Sequence, residues 1–208
     1  MIQDVVEGFA ARTPQVREPE LRGTQAKEPG VTTRGSTREH FENLFVAHYS
    51  RIVAVLQRML GDRGHAEELA SEVFLKLYRQ PLAEWPDGNV PGWLYRTATN
   101  LGIDALRAAA RRNRLEQAAA TGERHNQIGE NGLEQMLRAE RQQRVRAVLA
   151  DMKPAQAQLL LLRASGHSYK ELAGALDVEA GSVGTLLIRA EAAFEQRYRE
   201  VYGGQEDL

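Results

Sequence analysis

Residues 159–194 read LLLLRASGHSYKELAGALDVEAGSVGTLLIRAEAAF. Gly166 breaks the leucine run. Ser168 and Glu171 then have the spacing of a capping box, in which hydroxyl and carboxylate each satisfy a free backbone amide of a helix start. A short helix, YKELAGAL, is predicted to follow. The tight turn DVEAG leads into SVGTLLIRAEAAFEQRY, where Val183, Leu187, Ala190 and Phe194 recur at helical spacing and form a buried stripe. Two helices joined by about four residues, with the small Ala173 inside the first, match a helix-turn-helix. The opposite stripe of the second helix holds Ser182, Thr185, Leu186 and Arg189. That row could enter a major groove: Arg189 can donate two bonds to guanine, Ser182 and Thr185 can reach bases or phosphates, and Leu186 can touch a thymine methyl. The competing reading is a tri-helical packing unit with a solvated face.

Upstream, Val145, Val148, Leu149 and Met152 mark another helix. Pro154 suits the first turn of the helix that carries the leucine run. Residues 142–200 are therefore read as a four-helix domain, followed by a loose tail at 201–208. Residues 116–141 carry three positive and five negative side chains together with Gly122, Gly129 and Gly132, and are read as a flexible acidic linker. Residues 36–115 form a first domain with 11 positive and 9 negative side chains. Ser36 and Glu39 suggest a capping box, and Phe41, Leu44, Phe45, His48, Ile52, Val55, Leu56 and Met59 a helical stripe. Gly61 and Gly64 flank a break. In the next helix Ala66, Leu69, Ala70, Val73, Phe74 and Leu77 face one way, and Glu67, Glu68, Ser71, Glu72 and Lys76 the other. After QPLAEWPDGNVPG, a third helix runs from about Gly92 to Arg114, and Trp93, Leu94, Thr97, Ala98, Leu101, Ala105 and also Leu106 can make its buried stripe. Residues 1–35, with balanced charge and little periodicity, are read as a disordered arm. The fold class is all-α, with two small helical domains.

The totals narrow the function classes. The 208 residues carry a net charge of −1, so any nucleic-acid contact must come from a local stripe rather than a global field. Cysteine is absent, which excludes disulfides and thiolate zinc sites and fits a cytoplasmic location. No apolar run is long enough to span a bilayer, and the N-terminus lacks the pattern of a secretion signal, so no membrane insertion is expected. His40, His48, His65, His125 and His167 show no metal-ligand spacing, and no phosphate loop or nucleophilic triad appears. Neither cofactor, metal nor catalysis is expected. Arg96, Arg107, Arg111, Arg112 and Arg114 accompany the single acid Asp104 in the third helix, a run that attracts phosphates. Trp93 and Tyr95 at its start suit unstacked bases. The competing reading is a charged, solvated face over a core tryptophan. Asn100 and Asp104, four apart, read as a structural hydrogen-bonded pair.

Three strings in order, GDRGHAEELASEVFLKLYR (61–79), PGWLYRTATNLGIDALRAAARRNR (91–114) and residues 159–194, resemble extracytoplasmic-function sigma factors over about residues 38 to 199. The resemblance implies a sigma factor that binds core RNA polymerase and directs promoter-specific initiation. It implies docking on the clamp helices of the largest polymerase subunit through Glu67, Glu68, Ser71, Glu72 and Lys76. It implies minus-ten recognition and DNA melting, with residues 84–92 holding an extruded base and Trp93, Arg96, Asn100, Asp104, Arg107, Arg111 and Arg112 lining or supporting the strand path. The second domain would read the minus-thirty-five element through Ser182, Thr185, Leu186 and Arg189 and touch the polymerase flap. An anti-sigma factor is an expected further partner.

The chain departs from the family pattern at several positions. Gly184 and Leu186 replace basic residues of the recognition helix, and Glu191 and Glu195 follow where basic residues are common. Thr97 and Thr99 stand in place of an isoleucine and a basic residue, and Ser71 in place of glutamine. Asp177 occupies a turn position often held by glycine, which aspartate tolerates better than most residues. Two other functions stay open: a helix-turn-helix regulator that binds duplex DNA without polymerase, and a decoy that binds anti-sigma factors without initiating.

Overall fold

The computed structural model describes residues 33–80, 85, 88–119 and 132–203. Among them the chain forms α1 (Thr33–Leu60), α2 (Arg63–Arg79), α3 (Val90–Ala119), α4 (Gly132–Asp151), α5 (Pro154–Ala164), α6 (Tyr169–Leu176), a 3₁₀ turn (Ala180–Ser182) and α7 (Val183–Tyr202). The expected arm at 1–35 lies outside the described residues except for its last three, which belong to α1. The tail expected at 201–208 is helical through Tyr202 and otherwise lies outside them, apart from Gly203.

Some helices start where their local sequence signals predict and others do not. The Ser168–Glu171 capping box forms in both directions, and Pro154 begins α5. Ser36, by contrast, lies inside α1, three residues past its start. The cap of α2 is Asp62, whose carboxylate accepts the His65 N–H at 2.6 Å. Gly64 is therefore inside α2 rather than at a break. Gly61 does close α1: its φ of 76° is the left-handed geometry that favours glycine. Asp177 ends α6 with φ 58°, the conformation that aspartate admits more readily than most side chains.

In the first domain, α2 folds back along α1. Phe41 meets Tyr78 near one end of the pair, and Tyr49 meets Ser71 further along. Ile52, Leu56 and Met59 of α1, Val73 and Leu77 of α2, and Leu94 and Ile103 of α3 are fully buried at the shared core. Each such side chain contributes roughly 1.5–3 kcal/mol of transfer free energy. Gly102 lets α3 approach α1 closely, because a Cβ there would strike the Met59 thioether. In the second domain Leu159 and Leu162 of α5, Leu172 of α6, and Val183, Leu187, Ala190 and Phe194 of α7 form the core. The α7 stripe is the one its periodicity predicts.

The two domains do not stand apart. Helix α3 packs against α1 and α2 on one side and against α4, α5 and α6 on the other. This corrects the expected stripe of α3. Leu94 and Ala98 are buried as expected, whereas Trp93, Thr97, Leu101 and Ala105 are half-buried. Leu106 is buried as expected, and Tyr95, Thr99 and Ile103, which belong to no expected stripe, are also buried. A helix held between two layers shows no single apolar face, so the one-sided periodicity understated its burial. The stretch read as linker, 116–141, is helical at both ends: α3 continues through Ala119 and α4 begins at Gly132.

Candidate nucleic-acid and partner interface

On α2, Glu67, Glu68, Ser71, Glu72 and Lys76 share one face. Glu68, Ser71, Glu72 and Lys76 are exposed and Glu67 is half-buried. Arg63 donates to Glu67 at 2.8 Å, Lys76 pairs with Glu72 at 3.0 Å, and Ser71 Oγ donates to the Glu67 carbonyl at 2.8 Å. These are exposed i,i+4 pairs of small energetic weight, so the face remains open to a partner. Beside it lies an aromatic ledge that the sequence reading did not single out. Phe45 stacks on Tyr49 with ring centroids 4.7 Å apart and meets Phe74 edge-on at 4.9 Å. Phe45, Val46, Leu75 and Tyr78 are exposed. The spacing of Phe41, Phe45 and Tyr49 carries the signal, although Phe41 and Phe45 are expected in the core stripe and Tyr49 in none.

On α3 the expected strand-path residues divide. Asp104, Arg111 and Arg112 are exposed. Trp93 and Arg96 are half-buried, and Arg96 Nε is buried without a hydrogen-bond partner. Asn100 and Arg107 are engaged by the second domain. Gln158 Nε2 donates to Asn100 Oδ1 at 2.6 Å. Arg107 Nε donates to the Ala150 carbonyl at 3.1 Å, and a terminal nitrogen donates to that of Met152 at 3.3 Å. These carbonyls sit at the C-terminal end of α4, where unpaired acceptors and the helix dipole favour a cation. Asn100 and Asp104 do not pair as expected; Asp104 lies 4.0 Å from Arg107 instead. Of residues 84–92, Glu84, Pro86 and Asp87 lie outside the described residues. Trp85 is buried, and its indole N–H donates to the Gln80 carbonyl at 3.1 Å. Asn89 caps α3 by accepting the Gly92 N–H at 3.0 Å.

Further bonds cross the same seam. Asn89 Nδ2 donates to the Gly174 carbonyl at 2.8 Å, Arg58 to that of Ala164 at 3.0 Å, and Arg146 to that of Met59 at 3.0 Å. Arg51 and Glu171 form an ion pair at 3.5 Å. Tyr95 and His167 meet edge-to-face with centroids 4.4 Å apart. Burial raises the Tyr95 hydroxyl above its ordinary pKa and lowers the His167 imidazole below its own. A cleft of about 960 Å³ opens between α3, α4 and α7, lined by Arg107, Arg111, Arg112, Arg146 and Arg197 among others. Among the described residues, no group of three or more His, Asp or Glu side chains could hold a metal ion, and no helix is long and apolar enough to cross a membrane.

Ser182, the last residue of the 3₁₀ turn, and Thr185 and Arg189 of α7 are exposed in a row opposite the buried stripe, and Leu186 is half-buried against the core. Ile188, 68% exposed, lies beside the row and was not singled out. The acid Glu195, a departure from the family pattern, is paired with Arg199. Its charge is therefore offset within the helix.

The chain matches the family model described as Sigma-70 region 2 over residues 44–112 and that described as Sigma-70, region 4 over residues 142–194. It is similar to the ECF RNA polymerase sigma factor SigE of Mycolicibacterium smegmatis, with 29% identity over 146 residues, 69% of this chain and 55% of that protein. It is also similar to the ECF RNA polymerase sigma-E factor of Escherichia coli K12, with 28% identity over 162 residues, 74% of this chain and 85% of the relative. The RNA polymerase sigma-H factor of Pseudomonas aeruginosa shows 27% identity over 170 residues, 78% of this chain and 88% of the relative. The aligned part thus spans little more than half the length of the mycobacterial relative and most of the other two.

Proposed function

We propose, for a chain that belongs to the extracytoplasmic-function family of RNA polymerase sigma factors, that it binds core polymerase and opens promoters by placing α3 on the minus-ten element and α7 on the minus-thirty-five element. It works by binding rather than by bond chemistry, and it acts in the cytoplasm. The observation that carries the reading is the exposed row of Ser182 at the N-cap and Thr185 and Arg189 on α7, set opposite a fully apolar stripe. A helix of this kind offers one face to a major groove while the other fixes its angle to the domain. Arg111 and Arg112 supply cations for a displaced strand, and Trp93 and Arg96 support its path. The acidic α2 face and the aromatic ledge beside it serve the clamp helices of the largest subunit, and the second domain also touches the flap.

Asn100 Oδ1 and the Arg107 guanidinium are engaged by the second domain, so in this reading the described arrangement is a closed form whose seam parts on promoter engagement. Residues 120–131 join the domains, a length that can reach at most roughly 45 Å. An anti-sigma factor would act by stabilising the closed form or by covering α2 or α7.

Run-off transcription with purified core polymerase, with and without the protein, on a genomic promoter library tests the reading. New, discrete start sites are expected. A chain that neither yields start sites nor binds core polymerase would instead be a duplex-DNA regulator or an anti-sigma decoy.

A further inference from the structure

Three buried polar atoms without partners belong to rings that touch in succession at the seam. His167, in the turn between α5 and α6, is 3% exposed. Its Nδ1 lies 3.0 Å from the Leu162 carbonyl, so Nδ1 carries the proton and donates it. Nε2 is then a bare lone pair, buried with no partner. The His167 ring abuts Tyr95 of α3, whose hydroxyl is likewise buried and unpartnered. Tyr95 in turn meets His48 of α1 edge-to-face at 5.9 Å, and His48 Nδ1 is a third unpartnered atom. One ring comes from the second domain and two from the first.

We propose that this row is a protonation-sensitive latch: the seam stays closed while His48 and His167 are neutral, and acidification parts the domains and frees α3. The regulatory consequence rests on the promoter reading of α3; the latch itself does not. A proton added to His167 Nε2 would place a charge and an N–H without an acceptor in a site closed to water, which is costly. The charged neighbours do not remove that cost. Glu171 of α6 favours the imidazolium, but it is already bonded by the Ser168 amide and hydroxyl and paired with Arg51. Arg51 and Arg58 of α1 oppose it. Arg163 of α5 donates to the His167 carbonyl and adds a third nearby cation, and Tyr95 of α3 presents a neutral phenol whose hydroxyl makes no hydrogen bond to the imidazole. His48 faces the same set, with Arg51 against protonation and Glu171 for it.

Burial, the largest influence, lowers both imidazoles below their ordinary value in the closed form. Once the seam parts, they meet water and return toward about 6.5. The closed form therefore binds protons less tightly than the open form. Closure is at full strength above about pH 6.5 and weakens as pH falls below it. Each histidine can shift the closed-to-open ratio by at most about tenfold per pH unit, so the two together give at most about a hundredfold.

Small-angle X-ray scattering of the full chain between about pH 8 and about pH 5.5 tests this, with circular dichroism followed in parallel. The expected result is a rise in radius of gyration below about pH 6.5 at constant helix content, reduced in His167→Gln and absent in His48→Gln/His167→Gln. A radius that does not change with pH, an expansion that tracks helix loss, or a double variant that opens like the parent would each overturn the latch. If the variants do not fold, the ring protons of His167 in the parent chain are titrated by NMR, and a pKa at or above that of free histidine overturns it. None of these readouts uses polymerase. Acid opening without start sites would keep the latch and sink the sigma reading, and start sites with a pH-invariant seam would do the reverse.

Discussion

Gln158 of α5 donates its side-chain amide to Asn100 of α3 at 2.6 Å, joining residues 58 positions apart in the chain and on different domains. Asn100 is one of the residues proposed for the promoter strand, and this bond occupies its Oδ1 although the side chain is exposed, so strand and seam compete for that acceptor. Gln158 is itself 6% exposed. Its loss removes a bond worth about 0.5–1.5 kcal/mol, a shift of about twofold to tenfold between closed and open forms. Gln158→Ala is therefore expected to raise promoter-complex formation at limiting sigma concentration by about that factor. Equal or weaker complex formation at unchanged melting temperature would remove the competition between seam and strand.

Arg107, Arg111 and Arg112 are separated by the structure into two roles. Arg107 holds the C-terminal carbonyls of α4, whereas Arg111 and Arg112 are exposed. Arg111→Glu/Arg112→Glu is the cleaner test of melting, because both residues line the interdomain cleft without making the bonds to the α4 carbonyls that Arg107 makes. Permanganate reactivity of promoter thymines is expected to be lost while co-purification with core polymerase stays intact. Unchanged reactivity would refute the strand-path assignment. Arg107→Glu with Arg111→Glu is also expected to abolish opening with docking intact, but in addition it sets a carboxylate against the α4 terminus and loosens the seam.

The α2 face makes its prediction through charge. Glu68→Lys/Glu72→Lys reverses two exposed acids, one of which pairs only with Lys76, so folding should be nearly unaffected. Co-elution with core polymerase is expected to fall, and more steeply when Tyr78→Ser also removes part of the aromatic ledge. Retention of full binding by the triple variant would place the docking face elsewhere.

Arg189→Ala is expected to weaken transcription from promoters that depend on an upstream element. The size of the loss is that of a bidentate base contact, about 1–3 kcal/mol. Reporter output from promoters with scrambled upstream elements should be unchanged. An equal loss on both promoter sets would assign Arg189 to nonspecific phosphate contact.

Two stability changes separate a cap from the core. Asp62→Ala removes the acceptor for the His65 amide and should cost about 1 kcal/mol. Leu56→Ala empties a fully buried site among α1, α2 and α3 and should cost about 2–5 kcal/mol. Denaturant melts of the two variants check the order, and a cap loss larger than the core loss would contradict the packing described for α1.

What could be read from the chain alone was local. The Ser168–Glu171 box, the end of α6 at Asp177 and the stripe Val183, Leu187, Ala190 and Phe194 depend on residues three or four apart and on one residue's tolerance of positive φ. Such signals are complete within a turn or two of helix. The Ser36 pattern is also compatible with a helix interior, where it lies, and the Asp62 cap stands between two glycines that themselves signal a break. The aromatic spacing along α1 was plain, yet which rings face solvent depends on where α2 ends.

The seam had no such marks. Five of its acceptors are the backbone carbonyls of Met59, Ala150, Met152, Ala164 and Gly174, which every residue type possesses, so side-chain identity cannot announce them. Arg58, Arg107 and Arg146 look like solvated cations in the sequence and became interdomain ties only when folding brought helix ends to them. The sequence by itself determined the helices, the two cores and the residue types available to polymerase and DNA, because these follow from periodicity and short-range bonding. Only the tertiary structure decided which of those residues are engaged within the chain. That outcome depends on backbone groups from distant segments meeting in space, and no local pattern encodes such a meeting.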